Sequence, residues 1–424
     1  MKRLIYSVIF LCVAILVANA NEAVDSIAVK SHVNVIIGSK ENEQDVENAF
    51  KENIPQDKSV AGMPHFAIVG KYKRFYLGIG ANFKASASFD FGDEMPSELD
   101  FVPSQITPST PGNGAITRFS AQSSSIYLNF IAMPNNPNKT GLFFSGNFMG
   151  DNYRFKMSHF YIKYRGLKFG YTHSAFTDNN AVPFTIDDQG PAGEASMKTV
   201  VAMWTQPITK NIDFTIGIDA PKVSIEDTTA YTHIVNQRIP AIPLWLQYKS
   251  NDNYIRASAI LRTLQYRDLV QQQNRNVAGW GVQLSGLYEL THNIKLLGSA
   301  NYGQGIANYV QDISDLNLDL LPDTDHAGKM YGTPSWAVTL GAELNFSDKF
   351  SSNLLYSRMN LCYKDIAGLD TNMVKHTQYV TANFIYNITY FIKLGIEYQW
   401  GYRKSIEGKS NHVNRLQCLF AVEI

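Results

Sequence analysis

Residues 175–196 of this 424-residue chain combine acidic side chains with residues that fix sharp turns. The acids are Asp178, Asp187, Asp188 and Glu194, and the turn formers are Pro183, Gly190, Pro191 and Gly193. Proline and glycine set the backbone angles that a loop needs when it packs tightly against a wall. We expect the acids to face water beside that wall. The alternative, for Asp178 and Asp187 in particular, is that they only pin the loop by hydrogen bonds to its own backbone.

Six basic residues occupy alternate positions in segments that have the length of β-strands. They are Lys168, Arg256, Arg262, Lys295, Lys393 and Arg403. A charge at lipid depth would cost roughly 2–4 kcal/mol in a membrane-spanning strand, so these bases belong on rows that face water. Acids and bases facing each other across a water-filled space would create a field that selects solutes by charge.

The polar rows are mixed in charge, because they also carry Asp213, Glu289, Glu343 and Glu397. The sequence therefore favours anions over cations only weakly. For each of the six bases, the alternative to a position at the narrowest point of the lumen is a solvated position near the rim of the barrel.

The segments that carry these residues alternate between polar and apolar positions from residue 75 to the C-terminus. Phe75–Phe91 is the clearest case, with Leu77 and Ile79 on one face and Asn82 and Lys84 on the other. Period-two alternation without a long apolar run is typical of strands that face lipid on one side and water on the other. The C-terminal segment ends in the same way, with an apolar row that finishes at Ile424.

The links between these predicted strands are alternately long and short. The odd-numbered links are 92–116, 151–152, 175–196, 220–240, 266–276, 309–333, 364–375 and 405–410, and they include all the longest ones. The even-numbered links have roughly two to eight residues, as in ordinary hairpins. The count is sixteen strands, and an error of one would destroy the segregation of long and short links. The sequence therefore predicts an all-β, transmembrane, antiparallel β-barrel over residues 75–424, with 175–196 as an inward-folded third extracellular loop.

The N-terminus predicts a secreted protein. Lys2 and Arg3 precede an apolar stretch that closes at Ala18-Asn19-Ala20, as in a signal peptide of residues 1–20. The remaining 404 residues carry a formal charge of −2, which implies no attraction to nucleic acid. Residues 21–74 are predicted to form a periplasmic extension in which Val46 and Phe50 have helical spacing. A plug is possible there, and a poorly ordered leader is favoured.

Catalysis is not indicated by the remaining reactive side chains. Cys362 and Cys418 are predicted to be unpaired, and the histidines are scattered without a nucleophile motif or metal-ligand spacing. We expect no catalytic residues, no cofactor and no metal site. Besides a water-filled channel, the pattern leaves open a barrel with a filled lumen that acts as an adhesin or structural protein and, less favoured, an outer-membrane hydrolase.

The stretch 168–178 resembles the strand-and-loop signature of the DcaP-like porins. It is followed by Ala181-Val182-Pro183, Thr185-Ile186-Asp187 and Gly190-Pro191-Ala192-Gly193. His173 departs from the small or polar residue expected there, and Lys198 replaces the arginine usual after the Gly-Pro motif. The resemblance implies a homotrimeric porin in the outer membrane of a Gram-negative bacterium. Its partners would be the lipid bilayer and small hydrophilic, often anionic, solutes.

Overall fold

The structure is a computed structural model that describes residues 34–37, 43–55, 57, 62–97, 99–107, 115–225, 230–364, 366 and 368–424. The predicted signal peptide lies outside these residues. Among the described residues, no helix is long and apolar enough to cross a membrane.

The helix and strands, in chain order, are β1 (Asn34–Ile37), α1 (Glu43–Asn53), β2 (Phe66–Val69), β3 (Phe75–Phe91), β4 (Ile116–Ser120), β5 (Ser125–Ala132), β6 (Thr140–Gly150), β7 (Arg154–Tyr164), β8 (Leu167–His173), β9 (Lys198–Pro207), β10 (Ile212–Asp219), β11 (Thr232–Ile234), β12 (Ile242–Ser250), β13 (Asn253–Asp268), β14 (Gln273–Thr291), β15 (Ile294–Gln304), β16 (Leu320–Pro322), β17 (Met330–Gly332), β18 (Pro334–Ser347), β19 (Phe350–Leu361), β20 (Val374–Asn387), β21 (Ile392–Ser405) and β22 (Ser410–Glu423). Short 3-10 turns occupy Lys71–Lys73, Pro103–Gln105, Asp151–Tyr153, Asn179–Ala181, Ala307–Tyr309 and Gln311–Ile313.

The described strands form a closed, antiparallel, sixteen-stranded barrel, which confirms the predicted fold. Each wall strand pairs with the next along the chain, and β22 closes the barrel by pairing with β3 from Asn414↔Phe91 to Glu423↔Asn82. β4 and β5 both pair with β3 and together make one interrupted wall strand. Where β22 ends, β2 continues the seam by pairing with β3 from Phe66↔Ile79 to Val69↔Tyr76. Closure leaves the wall without an open edge in lipid.

Burial along the strands follows the predicted rows. In β3 the apolar residues Ile79 and Phe83 are exposed on the outer face, whereas Asn82 and Lys84 are buried. In β13, Leu261 is exposed and Arg262 is buried. Because successive side chains of a strand point to opposite faces, the outer row meets lipid and the polar row faces the interior.

The helix α1 packs against the interior face of the wall. Val46, Phe50 and Ala49 are buried in a cluster with Tyr76 and Ile131, which lie on the inward rows of β3 and β5. Asn53, at the end of the helix, donates a hydrogen bond to Asn129 Oδ1 at 2.7 Å. The helical spacing was predicted correctly, but a poorly ordered leader is wrong for residues 43–55.

Candidate functional site

The interior of the barrel is the candidate site, and the link 174–197 crosses it. Near its start the link is anchored to the wall by Asp178, which accepts hydrogen bonds from Tyr254 Oη at 3.1 Å and Ser285 Oγ at 2.6 Å. The guanidinium of Arg256 lies 3.3 Å from the same carboxylate. All three partners belong to the inward rows of β13 and β14, so Asp178 bonds the wall rather than the backbone of its own loop.

Further along, the link reaches the inward rows of β18, β20 and β21. Asn383 donates a hydrogen bond to the carbonyl oxygen of Phe184 at 2.9 Å. Pro183 packs so closely on Gly341 that a Cβ there would lie 2.2 Å from the Pro183 ring, so only glycine fits at that wall position. Gly190 takes a φ of +79°, which a side chain would oppose. These contacts fix the course of the link along the inner wall.

Asp187 and Glu397 form an acidic contact between the link and β21. Glu397 accepts backbone hydrogen bonds from Ile186 at 2.8 Å and Asp187 at 3.1 Å. Asp187 in turn accepts from the backbone of Phe101 at 3.0 Å and from Tyr379 Oη at 3.1 Å. Burial, together with nearby carboxylates that include Glu397, raises the pKa of Asp187 well above its usual value. Asp187 therefore bonds the link after β3 and the wall and also, through the backbone N–H of Gln189 at 3.2 Å, its own loop.

The other two acids of the link are placed differently from each other. Asp188 is bonded to Ser123 Oγ and lies 3.7 Å from Lys84 Nζ. Glu194 is buried beside the returning arm of the link, where its carbonyl oxygen accepts a hydrogen bond from Gln311 at 2.9 Å.

Two more links pack inside the wall next to this one. In one apolar cluster, Met95, Phe101 and Ile106 of the link after β3 meet Val182 and Ala192 of the link 174–197; the wall contributes Leu355, Tyr379 and Val413. A second cluster joins residues of the link after β15 to β18, β19 and β20; it comprises Ala307, Val310, Ile313, Leu318, Leu321, Tyr331, Ala337, Met359, Leu361 and Val374. The interior beside β18–β22 is therefore packed with link residues.

The six predicted bases do not converge on one point. Arg262 lies 3.0 Å from Asp319 of an inward link, with both side chains buried. Lys393 pairs with Glu423 at 2.6 Å, and Arg403 donates to the carbonyl oxygen of Ile106 at 2.7 Å. These bases hold links or strands together.

The remaining three predicted bases are Lys295, Arg256 and Lys168. Lys295 lies opposite Glu289 and Glu343 in the strand register. Arg256 stacks on the Trp245 ring at 4.6 Å and Lys168 lies 5.1 Å from the Tyr161 ring. Arg256 and Lys168 both line a single cavity.

That cavity has a volume of about 1150 Å³ and lies at the end of the barrel where the short links are. It lies beside β6–β13 and is bounded on one side by the end of α1. Its basic lining residues are Lys51, Lys139, Lys163, Arg165, Lys168, Lys249 and Arg256. Its acids are Glu52, Asp213 and Asp252, of which Glu52 pairs with Lys139 and Asp213 with Lys249. Basic residues therefore outnumber acidic ones around the cavity.

Sequence reasoning missed several residues of this interior. Lys163 and Lys249 have the same alternation as Lys168 and were identifiable in principle from their rows. Asp57 was not, because it comes from the predicted leader and meets β7 and β8 only in the fold. Nor does the sequence pattern pair Arg262 with Asp319.

Comparisons with known proteins agree with this architecture. No model of a known protein family and no curated protein matches the chain. Among solved structures, the outer membrane channel DcaP of Acinetobacter baumannii is similar with a TM-score of 0.72 and 18% identity, over 86% of this chain and 100% of that one. The complex of Salmonella typhi OmpF with daunomycin gives a TM-score of 0.53 and 8% identity over 83% and 98% of the two chains. The anion-selective porin from Comamonas acidovorans gives 0.52 and 10% over 82% and 100%. At these identities the likeness concerns the fold.

Proposed function

We propose that this protein is an outer-membrane porin of a Gram-negative bacterium that lets small hydrophilic, preferentially anionic, solutes diffuse passively. The observation that carries the proposal is a closed wall with an apolar outer row around a polar interior that contains a basic cavity. A wall of this kind is stable only in a bilayer, and a polar interior gives water a path. The similarity to DcaP and to other porins supports the same function.

The link 174–197 is proposed to narrow the path. It bonds the inner wall at Asp178, Phe184 and Gly193, and Gly193 donates to Ser357 Oγ at 2.7 Å. A loop that is fixed at several points keeps the cross-section of the channel constant, which selectivity requires. We further propose that the chain assembles as a homotrimer, as the resemblance to DcaP-like porins implies, and that it has no enzymatic activity.

The test is conduction by purified protein in a planar lipid bilayer. We expect stepwise current increases, and in a salt gradient a reversal potential that shows anion preference. A heat-denatured sample of the same preparation is the control. Folded protein that inserts without conducting would contradict the porin assignment.

A barrel with a filled lumen is the second candidate, because apolar clusters occupy the interior beside β18–β22. It predicts that folded protein inserts but carries no current. The bilayer experiment therefore separates the two functions.

A further inference from the structure

Three nitrogen atoms converge on one carboxylate inside the barrel. Asp57 Oδ2 lies 2.8 Å from His159 Nε2, 3.0 Å from His173 Nε2 and 2.9 Å from Lys198 Nζ. The ligand atoms of Asp57, His159 and His173 all lie within 4.8 Å of one another. Asp57 follows α1, whereas the histidines belong to β7 and β8, so the cluster joins two separate parts of the chain.

The ligand types and their spacing suit a transition metal. Two imidazole nitrogens and a carboxylate oxygen are common Zn²⁺ ligands, and tetrahedral binding at about 2.0–2.1 Å places ligand atoms roughly 3.3 Å apart. The present separations from Asp57 to the two histidines are a few tenths of an ångström shorter. Small side-chain movements would therefore open the cluster enough for an ion. Ca²⁺ and Mg²⁺ prefer oxygen ligands and fit less well.

The surroundings of His159 orient it as a ligand. The side chain is completely buried, and its Nδ1 lies 2.9 Å from the hydroxyl of Thr172, which is also buried. Without an ion, Nε2–H donates to Asp57; when an ion takes the lone pair of Nε2, the proton moves to Nδ1, which can donate to this hydroxyl. An outer partner that fixes the ring and its tautomer in this way is usual for metal-binding histidines.

Asn179 offers a fourth ligand and the cavity offers a route. Its amide nitrogen lies 3.1 Å from His173 Nε2. Within the described residues, Asn179 Oδ1 is buried without a hydrogen-bond partner. Turning the amide by half a rotation would direct that oxygen at the cluster. Asn179 and His173 both line the cavity at the short-link end, so an ion reaches them from solvent.

Lys198 now supplies the positive charge that a metal ion would replace. Besides Lys198 Nζ, both histidine Nε2 atoms lie within 3.0 Å of the same carboxylate oxygen, so Asp57 already receives positively charged and hydrogen-bonding groups at the position that a cation would take. Lys198 is partly exposed, so its flexible side chain can withdraw, but it competes with the ion for the same oxygen.

From this geometry we propose that Asp57, His159 and His173 form a binding site for Zn²⁺ or a similar divalent transition metal, which ties the N-terminal segment to the barrel wall. The site goes beyond conduction, because it concerns how residues before the barrel are held inside it. It does not depend on the chain being a porin.

The test is metal binding by the full mature chain, folded in detergent and stripped with a chelator. Zn²⁺ is titrated calorimetrically, and Co²⁺ replaces it for visible spectroscopy. We expect one ion per chain and the absorption bands of tetrahedral Co²⁺. His173→Gln should weaken binding at least 10-fold, since it removes a direct ligand, and His376→Gln, which changes a histidine outside the cluster, should leave it unchanged.

Lys198→Gln is the second variant, because it removes the competing charge and no ligand. The proposal requires this variant to bind Zn²⁺ more tightly than the wild type. Heat-modifiable gel mobility checks that each barrel is folded. Absence of tetrahedral Co²⁺ bands in folded wild type, equal weakening by His173→Gln and His376→Gln, or unchanged or weaker binding by Lys198→Gln would each overturn the proposal.

Discussion

The two sides of the barrel interior are filled differently. Beside β6–β13, at the short-link end, there is a cavity of about 1150 Å³ lined mainly by bases. Beside β18–β22, links that follow β3, β8 and β15 pack into apolar clusters against the wall. We call these regions the cavity side and the packed side.

The difference indicates that the links, rather than the wall strands, determine which part of the interior is filled. Wall strands on both sides alternate in the same way, with exposed Leu261 of β13 and Leu340 of β18 on the outer face. The packed side contains apolar link residues such as Phe101 and Val310, which are fully buried. Burial of each such side chain stabilises the fold by roughly 1.5–3 kcal/mol. We infer that solutes pass on the cavity side and that the packed side holds the links in place.

Removing a buried aromatic ring on the packed side is expected to have the largest effect on the stability of the barrel. Phe101→Ala removes a ring that packs on Tyr379, with centroids 5.8 Å apart, and should cost about 3–5 kcal/mol. The measurement is the temperature at which the folded barrel loses its characteristic gel mobility. Phe83→Ala, on the exposed outer face, is the control and should lower that temperature much less. Equal shifts would contradict the existence of a packed side.

Removing the base from a buried ion pair should destabilise the fold nearly as much as Phe101→Ala does, without changing ion selectivity. Arg262→Met leaves Asp319 buried without its partner, which is expected to destabilise the fold by about 3 kcal/mol. The reversal potential should stay at the wild-type value, because the pair faces no solute. Adding Asp319→Asn should restore part of the stability. A changed reversal potential with full stability would instead place Arg262 in the solute path.

Packing of the links should depend on pH through Asp312. This carboxyl accepts hydrogen bonds from the Ser104 backbone at 2.9 Å and Thr377 Oγ1 at 2.5 Å, and burial raises its pKa to about 6. A raised folded-state pKa stabilises the fold below the unfolded value near pH 4, and this contribution disappears as pH rises through about 6.

The expected size of that loss is about 2–3 kcal/mol between pH 4 and pH 7. Thermal stability of wild type and Asp312→Asn, compared over this range, isolates the contribution of the one group. The thermal stability of Asp312→Asn should not decline in this way as the pH rises. Parallel curves for the two proteins would show that Asp312 does not titrate with the packing.

A single charge on the cavity side should have the smallest energetic effect and still alter selectivity. Lys168→Gln is expected to lower the anion-to-cation permeability ratio about twofold, because a charge in a watery lumen acts through a few tenths of a kcal/mol. Stability should hardly change. Lys393→Gln, where the base is paired with Glu423, is the matched control. An equal change of the permeability ratio in both variants would show that a base lining the cavity and a base paired with an acid affect selectivity equally.

The wall could be predicted from the sequence because alternation is a local signal. The predicted strands Phe75–Phe91 and Ile212–Asp219 coincide with β3 and β10. The predicted strand over 117–132 instead divides at Ala121–Ser124 into β4 and β5, where the chain bends while both parts still pair with β3. Such a bend depends on neighbouring strands, which alternation does not describe.

The interior could be predicted only in part, because its contacts join distant residues. Residue parity correctly placed Arg262 on an inward row, but its partner Asp319 comes from a link whose course depends on the whole barrel. Likewise Asp57 reaches His159, which lies 102 positions later in the sequence, only after the wall has formed. The sequence therefore predicts which residues face inward, whereas partner choice is settled by how the links fold.

The central claim, that ions pass on the cavity side, is tested most directly by blocking each side with a thiol reagent. Lys168→Cys and Gln399→Cys are introduced separately into protein in which Cys362 and Cys418 have been replaced by serine. Each variant is exposed to a bulky, water-soluble thiol reagent while current is recorded in a planar bilayer. We predict that the reagent reduces current through the Lys168→Cys channel and leaves the Gln399→Cys channel unchanged. Block at Gln399→Cys with no effect at Lys168→Cys would contradict the account.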